Sequence, residues 1–450
     1  MLLNIAIGLL GLGIVVFVHE AGHLVVAKLV GIDVEAFSLG WGRKLTGFVY
    51  RGTEYRVSVF PIGGYCKMRG DEALQRAYQN GDRTIPKEKG SFFGAPPFHR
   101  ILVAFAGPAV NLLFSIVVLA TMWWIGFTIQ TFDNRVVLAA DFETAEETPM
   151  TAAEAGIETG DVIRGINDTE VTSFRDISRE VSTAAERELR FEVERNGRIL
   201  EIPVVPELDS DTGAGQIGVY PWIDPVVDSV RPESPAAQAG LRNEDRIIEA
   251  DGQEIPHSIA LAQAVAQGEG EIELLVERDG TRRTLTVPTA NNLSELGITF
   301  RPVTVETPDL GVFGAVARGT SETWETLSMT VRGIGMLFRG VDMTQAVAGP
   351  IRITYFVGEV ATEGLSSGIG GGLRAFFSFL SLLSVALFFM NLLPIPVLDG
   401  GQIVLYTVEG LSGRDLHPRF VYGYQVVGMI MVFMLLFFAL FNDILFFSGR

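Results

Sequence analysis

At 450 residues, 48% hydrophobic and with a mean hydropathy of +0.31, the chain is too apolar for an ordinary soluble protein and points to several membrane segments. Its formal net charge of −18 argues against nucleic acid as a partner. A single cysteine, Cys66, excludes an internal disulfide and a cysteine-rich zinc knuckle, and reads as a small buried residue.

An apolar run begins at Leu2 without a basic segment ahead of it and continues through Ala27, so it reads as a retained transmembrane helix rather than a cleavable leader. Inside it lies His19-Glu20-Ala21-Gly22-His23. Side chains four apart share a helix face, so His19 and His23 present two imidazoles to one point with the Glu20 carboxylate beside them. Two neutral imidazoles and a nearby base are what a catalytic zinc requires. Two stray histidines in a membrane helix would be the alternative, but polar groups at that depth are costly and usually functional.

Four stretches meet the length test for a membrane helix, at 3–30, 101–127, 375–393 and 426–445. No Lys or Arg precedes Lys28, whereas 32–100 holds eleven. The positive-inside rule therefore places the N-terminus outside and 32–100 in the cytoplasm. Residues 128–372 carry 41 acidic and 19 basic side chains with no lysine, and belong on the other side.

Within the cytoplasmic piece, Tyr55–Phe60 alternates as a strand should, and Pro61-Ile62-Gly63-Gly64-Tyr65 marks a bend or an exposed edge. An ordinary hairpin and a functional edge both fit. The second span opens with Gly107-Pro108-Ala109-Val110-Asn111, whose small residues allow close packing. Asn111 is a polar group at membrane depth, suited to an interhelical hydrogen bond or to substrate contact.

The acidic block holds an internal repeat. Ala153-Glu154-Ala155-Gly156-Ile157 leads to Asp161-Val162-Ile163, and Ala237-Gln238-Ala239-Gly240-Leu241 leads to Asp245-Arg246-Ile247, 84 residues later. Each copy continues into a short strand and turn, a helix-like stretch (174–185 and 259–266) and alternating strands near 189–204 and 271–287. The copies resemble circularly permuted bacterial PDZ domains, with Ala155, Gly156, Ala239 and Gly240 in the corresponding loops. That resemblance implies a groove accepting an extended peptide end by strand addition; a groove that binds nothing is the other reading. In 305–373, Trp324, Leu327, Val331, Ile334, Leu337 and Phe338 recur at helical spacing, the mark of an amphipathic helix on the membrane surface or against the repeats. Gly349-Pro350 and a glycine cluster at 368–372 mark bends beyond it.

A catalytic zinc site wants a third protein ligand and one open position. The third span ends Asn391-Leu392-Leu393-Pro394-Ile395-Pro396-Val397-Leu398-Asp399-Gly400-Gly401, where two prolines break the helix within membrane reach. Asp399 beside that break reads as the third ligand; alone it would read as an Asp-Gly turn residue.

Together these motifs resemble the site-2 protease family of intramembrane zinc proteases over nearly the whole chain. The resemblance implies His19, His23 and Asp399 as Zn2+ ligands and Glu20 as general base. It suggests Asn391 as a contact to the substrate strand, while Asn111 keeps its two readings. It further implies that the hairpin bearing Val57, Val59, Phe60, Gly63, Gly64 and Tyr65 offers an edge to an unwound substrate. The expected fold class is a polytopic α-helical membrane protein with four transmembrane helices, a cytoplasmic β-hairpin region and two periplasmic PDZ-like α+β domains. The expected division is a first span at 1–31, β region at 32–100, second span at 101–127, repeats at 128–222 and 223–304, and amphipathic helix and linker at 305–373. The third span follows at 374–398, a cytoplasmic connection at 399–424 and the fourth span at 425–447.

The expected activity is hydrolysis of peptide bonds in or near the membrane segments of single-span proteins already trimmed outside, such as an anti-sigma factor, and of signal peptide remnants. The expected setting is the bacterial inner membrane, with the lipid bilayer as partner, no nucleic acid and a monomeric chain. Two other classes compete. A membrane-anchored PDZ scaffold has no need of Glu20. A zinc transporter should spread its acids and histidines over several spans, and this chain concentrates them on two.

Overall fold

The computed structural model describes all residues except Met1, 143–147, 210–213, 269, 291, 302, 307–309, 338–348, 367–368 and 449–450. Two compact units emerge, one built from 1–127 and 307–450 and the other from 128–306.

The first unit is helical. Among the described residues, four helices are long and apolar enough to cross a membrane: α1 (Leu2–Leu29), α3 (Pro97–Ile125), α6 (Ile369–Leu392) and α8 (Pro418–Ser448). The last three begin ahead of the apolar stretches that mark them, because a helix extends as far as its hydrogen bonds run and not only where hydropathy is high. Between α1 and α3 lie the strands β1 (Val34–Tyr50) and β2 (Thr53–Met68) and the short helix α2 (Ala73–Asn80). Both strands are bent, and β1 is used twice. Its first part pairs with 54–57 on one side and with 64–68 on the other, while its second part pairs back onto 53–58. Residues 64–68 are thereby one edge of the sheet and 54–57 its interior.

One hydrophobic cluster forms the core of this unit. Leu24 and Ala27 of α1, Val34 and Phe37 of β1, Leu74 of α2, Phe92 and Phe93, Val103 of α3, and Leu405 and Tyr406 of α7 (Asp399–Ser412) are all buried in one cluster.

Residues 305–373 are corrected by the structure. The helix α4 (Val312–Leu337) packs along α3 and also touches α6, rather than lying on a surface of its own. The reason is a small-residue stripe. Ala315 and Thr323 are buried, and a Cβ on Gly319 would sit 2.6 Å from the backbone nitrogen of Ala120. At that crossing Ser115 shares hydrogen bonds with Thr323 (3.1 Å) and Ser381 (2.6 Å), a buried hydroxyl cluster tying three helices together. Such interhelical bonds are worth about 0.6–2 kcal/mol each. A further helix, α5 (Pro350–Ser366), packs on α1 and α6. Its start is held by Asp443 of α8, fully buried, which accepts from the amides of Gly349, Ile351 and Arg352. Phe338 and Gly368 lie outside the described residues.

In the second unit the repeat is structural. Each copy forms a four-stranded antiparallel sheet with the same strand order. The first runs Thr169–Glu170, Val162–Ile166, Leu189–Arg195, Arg198–Val204; the second runs Gln253–Glu254, Arg246–Ala250, Glu271–Arg278, Thr281–Pro288. Helices Phe174–Ser182 and Ser258–Gln267 complete the two copies. The shared Gly-Asp spacing has one cause in both. Asp161 accepts from Arg195 and from the Glu158 amide, while Arg195 also donates to the Gly156 carbonyl. Asp245 accepts from Arg278 and from the Arg242 amide, while Arg278 donates to the Gly240 carbonyl. Gly156 and Gly240 have φ of 97° and 89°, a conformation that favours glycine. Ala155 and Ala239 sit just before these turns. Gly156 and Gly240 therefore supply one carbonyl each to an arginine staple whose aspartate is buried.

Candidate metal centre

Three side chains converge from two distant stretches of chain. His19 and His23 lie one turn apart on α1, and Asp399 is the first residue of α7. The His19 and His23 Nε2 atoms are 3.2 Å apart. Asp399 Oδ2 is 3.2 Å from His19 Nε2, and Oδ1 is 3.6 Å from His23 Nε2. A tetrahedral ion with bonds of about 2.0–2.2 Å holds its ligand atoms roughly 3.3–3.6 Å apart, so the three corners already have the spacing zinc requires. Asp399 Oδ2 is fully buried and faces His19 Nε2, an acceptor aimed at the point on which the three residues converge.

Backbone geometry brings these groups together. On α1, a Cβ at Gly22 would press on the Ala106 carbonyl of α3, and on α3 a Cβ at Gly107 would collide with His23 Nε2. Both glycines are needed for α1 and α3 to cross this closely. Pro108, inside α3, cannot donate to the Ala104 carbonyl, which loosens the helix ladder beside Val103. The Val103 carbonyl accepts from His23 Nδ1 at 2.7 Å. A carbonyl can only accept, so the His23 proton resides on Nδ1 and the Nε2 lone pair faces the gap.

Asp399 is placed by the chain before it. After α6 ends at Leu392, 393–398 turns back through two prolines, with Val397 at φ 80°. A β-branched residue in that region is strained and persists only where its surroundings hold it. They do so closely. A Cβ on Gly400 would strike the Leu392 carbonyl, one on Gly401 the Ile395 carbonyl, and one on Gly428 of α8 the Pro396 carbonyl. Tyr424 donates to the Gly401 carbonyl at 2.9 Å. Asp399 thus begins a helix instead of ending the third span, where its charge also suits the positive end of the α7 dipole.

A cavity of about 500 Å³ opens on the three residues. Glu20, Asn391, Gly64, Tyr65 and Cys66 line it, together with Trp41, Gln402, Tyr406 and Gln425. Burial and the negative charge of Glu20 push the Cys66 thiol up to about 12, so it stays a neutral thiol at neutral pH. The remaining expected contacts are distributed differently. Asn111 is fully buried, with Nδ2 3.2 Å from His19 Nδ1, so it meets a histidine and not the open cavity. Gly63 has φ 91° and packs under the Trp41 indole. Val59 and Phe60 are exposed away from the cavity. Val57 pairs with both Leu39 and Thr46, so its backbone is already used and cannot take another strand. The edge beside the site is 64–68 instead. Val103 and Tyr406 carried no sequence signal, whereas Gln425, a polar residue in an apolar span, did.

Similarity to known proteins agrees with this geometry. A family model described as Peptidase family M50 matches residues 7–435. A chain of Treponema pallidum (strain Nichols) that carries a zinc metalloprotease name is 38% identical, covering 98% of this chain and 99% of its own. The regulator of sigma-E protease RseP of Escherichia coli (strain K12) is 29% identical, covering 98% of each. A metalloprotease-named chain of Rhizobium meliloti (strain 1021) is 31% identical over 96% of this chain and 94% of its own.

Proposed function

The chain belongs to peptidase family M50, the site-2 type of intramembrane zinc protease, and from that premise we propose that it cuts single-span membrane proteins already trimmed on the outer side. The observation that carries the reading is the convergence of His19, His23 and Asp399 beside Glu20 in one cavity. Zinc bound there supplies a Lewis acid that polarises a peptide carbonyl and lowers the pKa of its water towards about 7.

The chain's own residues do the rest. His23 is oriented by Val103, His19 by Asn111 and Asp399 by the clamped 393–398 turn, so the ligand set is prepared before substrate arrives. Glu20 takes a proton from the attacking water and returns it to the leaving nitrogen. A transmembrane helix resists hydrolysis because its carbonyls are engaged and water is scarce, so the substrate must unwind. The edge at Gly64 and Tyr65 would hold it extended by strand addition, with Asn391 across the cavity as a further contact.

The charge asymmetry supports an orientation with the metal centre towards the cytoplasm and the acidic repeats in the periplasm, within a bacterial inner membrane. The repeats act as PDZ-like filters that exclude untrimmed substrates. The sigma-E regulator name of the relatives supports an anti-sigma factor as one substrate, with signal peptide remnants as another. A membrane-anchored scaffold with an idle metal site would leave Glu20 without a purpose. The test is Glu20→Gln in purified protein with a single-span substrate. Cleavage should fall by about 10²–10⁴-fold with zinc retained; cleavage at the unaltered rate would sink the mechanism. For the orientation, a cysteine introduced at Asp168 should label from outside intact cells, and labelling only after lysis would reverse it.

A further inference from the structure

We propose that Gln402 is a substrate-binding residue whose side-chain amide, aimed by Tyr406, donates to a backbone carbonyl of the unwound substrate. This role rests on the reading of the chain as an intramembrane protease and gives the substrate a partner on α7 besides the sheet edge.

Gln402 lies three residues after Asp399 on α7, and side chains at that spacing share a helix face, with Cβ atoms about 5–6 Å apart. Both line the cavity that opens on His19 and His23. Gln402 thus stands one helical turn from the carboxylate of the metal centre.

A glutamine amide can offer an acceptor or a pair of donors, and Tyr406 decides which. Its hydroxyl donates to Gln402 Oε1 at 3.1 Å. Tyr406 is buried, its ring edge-on to Phe92 with centroids 5.7 Å apart and capped by the Arg100 guanidinium. That guanidinium is in turn paired with Glu409, three residues further along α7. The tyrosine is therefore held in place. Its hydroxyl has no other partner among the described residues, so turning the amide over would leave a buried proton without an acceptor. Oε1 is occupied, and Nε2, with no partner among the described residues, is left to the cavity with two N–H groups to give.

A peptide unwound for hydrolysis carries N–H and C=O groups along both of its edges. Strand addition at 64–68 pairs one edge and leaves the other in a cavity walled in part by Phe92, Phe93, Val103 and Tyr406. A carbonyl unpaired there loses its water without replacement. Gln402 offers donors only, so it selects a carbonyl over an N–H. Being uncharged, it needs no counter-ion in that apolar setting. The contact reads backbone and not side chain, which suits substrates that differ in sequence.

The test uses the zinc-loaded full chain in detergent and a fluorescein-labelled peptide carrying the membrane segment of a single-span anti-sigma factor. Affinity is read by fluorescence anisotropy in the Glu20→Gln background, where the peptide is bound without being cut, and cleavage kinetics are read with Glu20 in place. Gln402→Glu keeps an acceptor for Tyr406 and removes both donors. At equal zinc content by metal analysis, it should weaken peptide binding by about 5–100-fold, the effect of stranding one buried carbonyl. KM should rise more than kcat falls, since the contact is made before the reaction begins. Gln402→Met, uncharged, of similar length and without donors, should lose as much, which separates the lost donors from the charge that glutamate brings. A residue that only holds Tyr406 would be spared by Gln402→Glu. Peptide affinity within twofold of the unaltered residue in either variant overturns the proposal, and Gln402→Glu decides alone should Gln402→Met fail to fold. The two layers separate cleanly. If the unaltered chain does not cleave the peptide, the protease reading fails and this role with it, whereas cleavage with no change in Gln402→Glu removes only the role of Gln402.

Discussion

Arg100 and Glu409 meet as a buried two-pronged ion pair, with Nη2 2.6 Å from Oε1 and Nη1 3.1 Å from Oε2. Their side chains are 3% and 10% exposed, and the guanidinium also lies over the Tyr406 ring. The pair ties the start of α3 to α7, the helix that opens with Asp399. Removing one partner strands the other charge, so Glu409→Leu should cost about 3–5 kcal/mol in denaturation experiments in detergent. The double change Arg100→Met with Glu409→Leu should recover most of that loss. A double variant as unstable as the single one would show that packing, and not the stranded charge, is what fails.

Gly107→Ala puts a methyl group 2.4 Å from His23 Nε2, too close for either to stay in place. The expected result is loss of bound zinc, read by metal analysis of the purified chain, with helix content preserved. Gly13→Ala is the control, because a Cβ there meets nothing within 4 Å. It should keep its zinc and change stability by no more than about 1 kcal/mol, in the stabilising direction.

The twin staples make a paired prediction. Asp161 and Asp245 are 2% and 0% exposed, and each holds an arginine. Asp161→Ala and Asp245→Ala should each destabilise by about 1–3 kcal/mol, the cost of leaving the Glu158 or Arg242 amide and the arginine without their acceptor. Hydrogen exchange should show the damage centred on the repeat that carries the change. Equal loss of protection in both copies would mean that they unfold as one body.

His257 caps the helix Ser258–Gln267, its Nδ1 accepting from the Ala260 amide at 3.2 Å. Burial and the neighbouring Arg135 guanidinium hold the imidazole below the usual histidine range, against the smaller opposing effect of Asp141. A folded-state pKa below the ordinary value means the contribution is present above about pH 6.5 and lost as pH falls through the lowered value. Protonated Nδ1 can no longer accept, so the cap is lost with the charge, at about 0.5–2 kcal/mol. Amide exchange in this helix should quicken between pH 7.5 and pH 5, after correction for intrinsic rates. His257→Asn, a capping residue that does not titrate, should remove the dependence.

Much of this protein is legible in its amino-acid order. His19 and His23 can be read there because helical periodicity places residues four apart on one face, whatever else the chain does. The repeat can be read because Asp161 and Asp245 do the same local work at the same spacing. The segment 312–337 misleads, since Trp324 and its apolar neighbours mark an amphipathic face without saying which side packs. The small stripe at Ala315, Gly319 and Thr323 is the buried side, mated to α3.

Local periodicity and composition are enough to specify the four apolar spans, the histidine pair and the acid after a proline-broken helix. Packing between distant segments sets the remainder: that Asp399 stands 3.2 Å from His19, that Val57 is interior to its sheet while Gly64 is at an edge, and that Asn111 turns to a histidine. Such contacts join residues tens to hundreds of positions apart. Their geometry is set by how closely glycines such as Gly22 and Gly107 let two helices approach. Periodicity along one segment carries no record of that approach.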